Sequence, residues 1–192
     1  AKSTGDLGKF TATAADVAGK ALTVAGAAAS AAGVNATRMA MDFESSFAGI
    51  KKTTDATAEE FAVLSAGIRQ LAQEIPTSVN ELNRIGEAGG ALGVAKESLL
   101  EFTKVIAMVA TSSNLTADNA ANSFARIGNV MGLTAKDFGR LGAAVIDLGN
   151  KGASTETDIT EMSMRIVGAA NAIGMSAKDV LGLAAAMSNV GI

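Results

Sequence analysis

The side chains able to do chemistry are few. Glu59 with Glu60, and Asp158 with Glu161, could pair as acid and base on geometry alone. Glu60, however, is accounted for by a helix-capping role, and the others by solvated first turns of helices. No nucleophile, base and orienting group can be drawn together, so no catalytic residue is assigned. The chain has 0 His and 0 Cys, which nearly excludes a zinc site and thiolate chemistry. Met39, Met41, Met162 and Met164 read as gap-filling or surface residues before they read as ligands. Gly86-Glu87-Ala88-Gly89-Gly90-Ala91-Leu92-Gly93 has the glycine content of a phosphate loop, but it follows a helix and ends in Leu92-Gly93-Val94, whereas a Walker loop follows a strand and ends in Gly-Lys-Ser/Thr. It reads as a loosened helix end. Its glycines four apart, and Gly128 with Gly132, also suit close helix crossing. Arg84, Arg126 and Arg165 could gather an anion, or each could cap carbonyls or pair with an acid of a neighbouring helix. No cofactor-binding or metal-binding residue is assigned.

The elements that carry these residues repeat. Gly132-Leu133-Thr134-Ala135-Lys136-Asp137-Phe138 recurs as Gly174-Met175-Ser176-Ala177-Lys178-Asp179-Val180, earlier as Asp55-Ala56-Thr57-Ala58-Glu59-Glu60-Phe61, and in degenerate form as Gly93-Val94-Ala95-Lys96-Glu97. The shared alanines, Ala58, Ala95, Ala135 and Ala177, are spaced by 37, 40 and 42 residues. That period is the length of a helical hairpin with its connections. Thr57-x-x-Glu60, Thr134-x-x-Asp137 and Ser176-x-x-Asp179 are helix starts: the hydroxyl caps an amide three residues on, and the acid favours the positive end of the dipole. Behind each runs an apolar stripe spaced three, four, three: Phe61, Leu64, Ile68, Leu71; Phe138, Leu141, Val145, Leu148; Val180, Leu183, Met187, Val190. The Gly93 copy lacks the hydroxyl and starts a weaker helix with Leu99, Phe102, Ile106 and Val109. Between these helices lies a second series, containing Arg84-Ile85-Gly86, Arg126-Ile127-Gly128 and Arg165-Ile166-Val167-Gly168. Each runs on to a glycine suited to a left-handed helix stop. Of the four starts, the last has no second helix, and the chain stops inside the pattern.

With 40 Ala and 21 Gly among 192 residues, nearly a third of the chain is very small side chain. Alanine favours helix, little reads as strand, and the expectation is an all-α protein. Net charge −3 and pI near 5.0 argue against a nucleic-acid surface, which needs clustered Lys and Arg. The first ten residues have no apolar core of a cleavable signal. Residues 1–9 read as frayed. Thr11 to about Lys52 reads as a long Ala-rich N-terminal helix built for close packing, and its stretch Ala21–Thr37 carries no charge. That stretch is 17 residues long and contains Gly, Ser, Thr and Asn, short of the roughly 20 apolar residues of a spanning helix. Pro76 breaks the first repeat, and Ser78-x-x-Glu81 starts its second helix. The expected organisation is an N-terminal Ala-rich helical arm over residues 1–54 and a helical-hairpin repeat core over residues 55–192.

From about Phe43 to Ile192 the chain resembles the core domain of phage tail tape measure proteins. The matching stretches are Phe43-Glu44-Ser45-Ser46-Phe47, Ala110-Thr111-Ser112-Ser113-Asn114-Leu115 with Ala120-Ala121, Asn129-Val130-Met131-Gly132-Leu133, and Gly182-Leu183-Ala184-Ala185-Ala186-Met187. Most specific is Leu148-Gly149-Asn150-Lys151-Gly152-Ala153-Ser154-Thr155-Glu156, followed by Arg165-Ile166. The resemblance implies a virion structural protein, not an enzyme, that occupies the tail tube lumen, sets tail length during assembly and leaves ahead of DNA at ejection. It implies a homo-oligomer in the virion, in contact with tail tube protein, tail assembly chaperones and tail tip proteins, and synthesis in the host cytoplasm. It also implies that the chain is part of a longer protein. Two other readings stand beside it: a membrane-perturbing helix at Ala21–Thr37 that touches the host membrane at ejection, and a generic helical protein-binding module.

Overall fold

A computed structural model describes residues 40–191. Most of the expected Ala-rich arm, including Ala21–Thr37 and Met39, lies outside the described residues. Contacts divide the chain into a first unit, Ala1–Phe43, and a second, Glu44–Ile192, which holds the helical repeats.

All regular structure among the described residues is α-helix. Helix α1 covers residues 40–53. It is followed by α2 (Ala58–Glu74), α3 (Val79–Ala91), α4 (Lys96–Ser112), α5 (Ala117–Met131), α6 (Ala135–Lys151), α7 (Glu156–Ala172) and α8 (Ala177–Val190). The starts fall where the hydroxyl-and-acid boxes place them: Thr57, Thr134 and Ser176 are N-caps, as are Ser78 and Thr116. Helix α4 starts at Ala95 with no side-chain cap, in line with its degenerate box. The glycines that precede the repeats, Gly93, Gly132 and Gly174, all have φ between 65° and 81°, the left-handed stop expected of them.

Two layers result. The even helices pack in sequence, α2 on α4, α4 on α6 and α6 on α8, while α3, α5 and α7 pack in sequence as the second layer. Helix α1 joins that second layer against α3, where Ile50 lies over Gly86. Each residue therefore meets its neighbours about one repeat away along the chain, which is the packing of a helical solenoid. The core between the layers contains Ile68, Leu82, Leu99, Phe102, Ile106, Phe124, Ile127 and Val145, all fully buried.

The structure corrects the sequence reading at four places. Gly86, Gly89 and Gly90 lie within α3, which continues to Ala91, so the loosened end is confined to Leu92 and Gly93. A Cβ on Gly89 would stand 2.8 Å from the Phe102 ring, and one on Gly90 would stand 2.5 Å from Thr53 Oγ1. These glycines are close-packing positions. In α8 the stripe has rotated: Val180, Leu181, Ala184 and Ala185 are buried, while Leu183 and Val190 are exposed. Phe61, Leu148 and Met187 are half-buried. Asp137, expected from its place at the helix start to be exposed, is half-buried as well, because its carboxylate folds back onto Thr134.

Candidate functional site

Of the carboxylates singled out for chemistry, Glu60 and Asp158 are held by caps, and Glu59 and Glu161 are exposed. Glu60 Oε2 accepts from Thr57 N at 2.8 Å, and Lys96 Nζ of α4 reaches Glu60 at 2.9 Å. Asp158 Oδ2 accepts from Thr155 N at 3.0 Å and from Thr155 Oγ1 at 2.6 Å, a full capping box absent from the sequence reading. Asp137 Oδ2 accepts the same pair of bonds from Thr134. Arg84 pairs with Glu81 on its own helix at 3.0 Å and with Asp118 of α5 at 3.7 Å. Arg126 and Arg165 have no ion-pair partner among the described residues, and both are exposed. Met41 is exposed, Met162 is buried and Met164 is half-buried. Among the described residues, no three His, Cys, Asp or Glu side chains are grouped to hold a metal, and no helix is long and apolar enough to cross a membrane.

Hydrogen bonds to these carboxylates fix the direction of their titration. The Glu60 carboxyl lies below the usual carboxylate range, first because of the Thr57 backbone bond and then because of Lys96. Asp137 and Asp158 lie low because of the hydroxyl and backbone bonds from Thr134 and Thr155. The Lys96 ammonium is raised, chiefly by its bond to Glu60. A carboxyl lowered by folding adds stability that is complete above its unfolded value and is lost as pH falls through its folded value. A raised lysine adds stability that is lost only far on the alkaline side. The fold is therefore expected to keep constant stability through neutrality and to weaken below about pH 4. Thermal unfolding followed across that range checks this. The triple variant Glu60→Gln, Asp137→Asn, Asp158→Asn should be less stable at neutral pH and should have a flatter acid limb. An unchanged acid limb would show that the caps do not carry the dependence.

The described residues also form a repeated surface. A groove of about 390 Å³ opens between α2 and the start of α4, lined by Val63, Leu64, Leu100 and the Glu60–Lys96 pair. An equivalent groove of about 490 Å³ opens between α6 and the start of α8, lined by Leu133, Leu141, Leu181, Asp137 and Arg140. Sequence reading missed both, because each is made by residues about one repeat apart. It also missed the polar ties between repeats. Asn83 Nδ2 donates to Ser46 Oγ at 2.7 Å, and Asn129 Nδ2 donates to the Leu92 carbonyl at 2.6 Å. Asn114 Oδ1 accepts from Thr157 N at 3.3 Å at the start of α7, and Ser154 Oγ donates to Asn189 Oδ1 at 2.6 Å. Ser46, Asn114, Asn129 and Ser154 all lie in the sequence stretches that carry the family resemblance.

The chain is similar in sequence to known proteins. The family described as phage-related minor tail protein matches residues 65–192, from α2 to the end of the chain. The probable tape measure protein of Halomonas phage phiHAP-1 is 27% identical over 165 residues, covering 79% of this chain and 19% of that protein. The chain thus spans about a fifth of the length of that relative. No solved structure is significantly similar to it. With the match running through both layers of the array, the chain belongs to the family of phage-related minor tail proteins.

Proposed function

We propose that this chain is a structural, non-catalytic segment of a tape measure protein. In this role it lies in the lumen of the phage tail tube, takes part in setting tail length during assembly, and is released when DNA is ejected. The observation that carries the reading is the likeness to a protein named a probable tape measure protein, which extends over most of this chain. The family match supports a place in the tail. The architecture agrees in kind: Glu60, Asp137 and Asp158 are engaged in caps, and the polar contacts tie one repeat to the next. In this reading the protein is made in the host cytoplasm, assembles in several copies, and meets tail tube protein, assembly chaperones and tip proteins. The division into an N-terminal arm over 1–54 and a repeat core over 55–192 belongs to the same proposal, with α1, at the end of that arm, packed against α3 of the core.

Affinity purification of the intact protein from infected cells tests it. Tail tube protein is expected to co-purify, and disrupted virions are expected to release the chain with the tail fraction. If the chain separates with capsid or stays in the cell after virions are removed, the tail-lumen assignment is wrong.

A further inference from the structure

The groove between α2 and the start of α4 gathers the excess charge of the molecule. Among the residues that line it are three exposed acids, Glu59, Glu60 and Glu97, and one base, Lys96. A fourth exposed acid, Asp55, is close enough to act on Lys96 electrostatically. Lys96 is already engaged, with Nζ 2.9 Å from Glu60. Four acids against one base leave −3, which is the formal net charge of the whole chain. Outside this place acids and bases are equal in number. The floor of the groove is aliphatic, built from Val63, Leu64 and Leu100 beside Ala56. Leu100 bounds it along α2, where a Cβ on Gly67 would stand 2.5 Å from the Leu100 side chain.

Val63 is a second sign, independent of the acids. Counting from each N-cap, the sixth residue of α2, α4 and α6 is Val63, Glu101 or Arg140. The later helices have a charged side chain at this position, and α2 has an aliphatic one that is 70% exposed. Burial within the described fold does not account for it, and neither does helix propensity, since valine is a poorer helix former than glutamate or arginine. We infer that the groove docks a segment of another polypeptide that presents aliphatic side chains flanked by Lys or Arg. The aliphatic side chains enter over Val63, Leu64 and Leu100. The cations meet Glu59 and Glu97, neither of which forms an ion pair among the described residues. At about 390 Å³ the groove has room for a few side chains, not for a folded domain. The equivalent groove between α6 and α8 has a similar floor in Leu141 and Leu181, but its rim carries Arg140 and Lys178 against the single acid Asp137. It has the opposite sign and is the control within the molecule. The inference holds wherever in the virion the chain lies, so the purified chain is enough to test it.

Amide NMR spectra of the 192-residue chain, titrated with a synthetic amphipathic peptide of Leu and Lys, decide it. Shifts are expected at Ala56, Val63, Lys96 and Leu100, saturating at one peptide per chain, with Leu141 and Leu181 unmoved. A Leu and Glu analogue, and a Lys and Ser peptide of the same charge, should leave the groove amides in place at the same concentration. Val63→Ser, and the pair Glu59→Gln with Glu97→Gln, change only exposed positions outside the caps. Each should weaken binding about tenfold, while the amides of α5 to α8 keep their wild-type positions and so report an intact fold. Shifts scattered over acids elsewhere on the surface, equal binding of all three peptides, or an affinity that neither variant moves would overturn the inference. An absence of shifts at high peptide concentration would overturn it too and would leave the groove to another part of this polypeptide. Movement of the same amides when the protein alone is concentrated would give the groove to a second copy instead.

Discussion

Phe138→Ala is expected to cost about 3–5 kcal/mol of folding stability, a large fraction of the roughly 5–15 kcal/mol that a domain commonly has to lose. Phe138 is 2% exposed and sits where the two layers meet. Its ring stands edge-on to Phe102 of α4, with centroids 5.2 Å apart and an interplanar angle of 80°. Its tip fills the space over Gly128 of α5, where a Cβ would approach the ring to 2.7 Å. One side chain therefore joins three helices, and alanine would leave a cavity bounded by helix backbone that cannot easily collapse. The same closeness makes Gly128→Ala destabilising by overpacking, by about 1–3 kcal/mol. Lys136, two residues earlier and exposed, is the control, with Lys136→Ala expected to lie within about 0.5 kcal/mol of wild type. Urea unfolding of the three variants, followed by circular dichroism, measures this. Equal losses for Phe138→Ala and Lys136→Ala would mean that Phe138 does not hold the layers together.

Phe138 is legible in the sequence because the cause of its burial is local. The box at Thr134 sets the helix start, and the period of 3.6 residues then aligns Phe138 with Leu141 and Val145 on one face. The same logic finds the starts at Thr57, Ser78, Thr116 and Ser176, and the left-handed glycines that end each unit. It fails in α8, where the stripe has the right spacing but Leu183 and Val190 have no described neighbour to bury them. Periodicity shows which residues share a face; whether that face is covered depends on another element. Contacts between repeats are invisible for the same reason. Asn114 meets Thr157, and Ser154 meets Asn189, 43 and 35 residues away along the chain. No local spacing rule reaches so far. The stretches containing Asn114 and Ser154 carry the family resemblance, and the structure supplies a physical reason for these residue types: each binds one repeat to another. The grooves beside Leu100 and Leu181 are hidden likewise, since their walls come from two helices of the same layer. Glu60 and Asp137 are legible as caps because a cap is a local arrangement. The cap at Asp158 escapes only because Thr155 directly follows a polar turn and blends into it.

Removing one whole hairpin from the intact protein separates two ways in which a tail protein of this family could relate to length. Deleting residues 95–133 joins Val94 to Thr134, replacing one N-cap position by its counterpart. If the repeats lie unrolled as continuous helix, those residues span about 60 Å at 1.5 Å per residue, and the tail should shorten by about that amount. If the repeats stay folded, each chain reversal cancels most of the rise, and one hairpin adds only an interhelical spacing of about 8–10 Å to the array. The folded structure leads us to expect the second behaviour with a larger consequence. The deletion removes the Phe102 ring from beneath Phe138 and the Asn114 tie to α7, so tails should be absent or irregular, with no uniform class shortened by about 60 Å. Residues 11–52, read from sequence as one uninterrupted helical pattern, should respond differently: in-frame lengthening there should extend the tail by about 1.5 Å per added residue. Electron micrographs of tails from the two sets of phage decide the matter. Well-formed tails shortened in proportion to the deleted hairpin would show that the array unrolls in the virion, and the packing described for α2 to α8 would then belong to the protein before assembly.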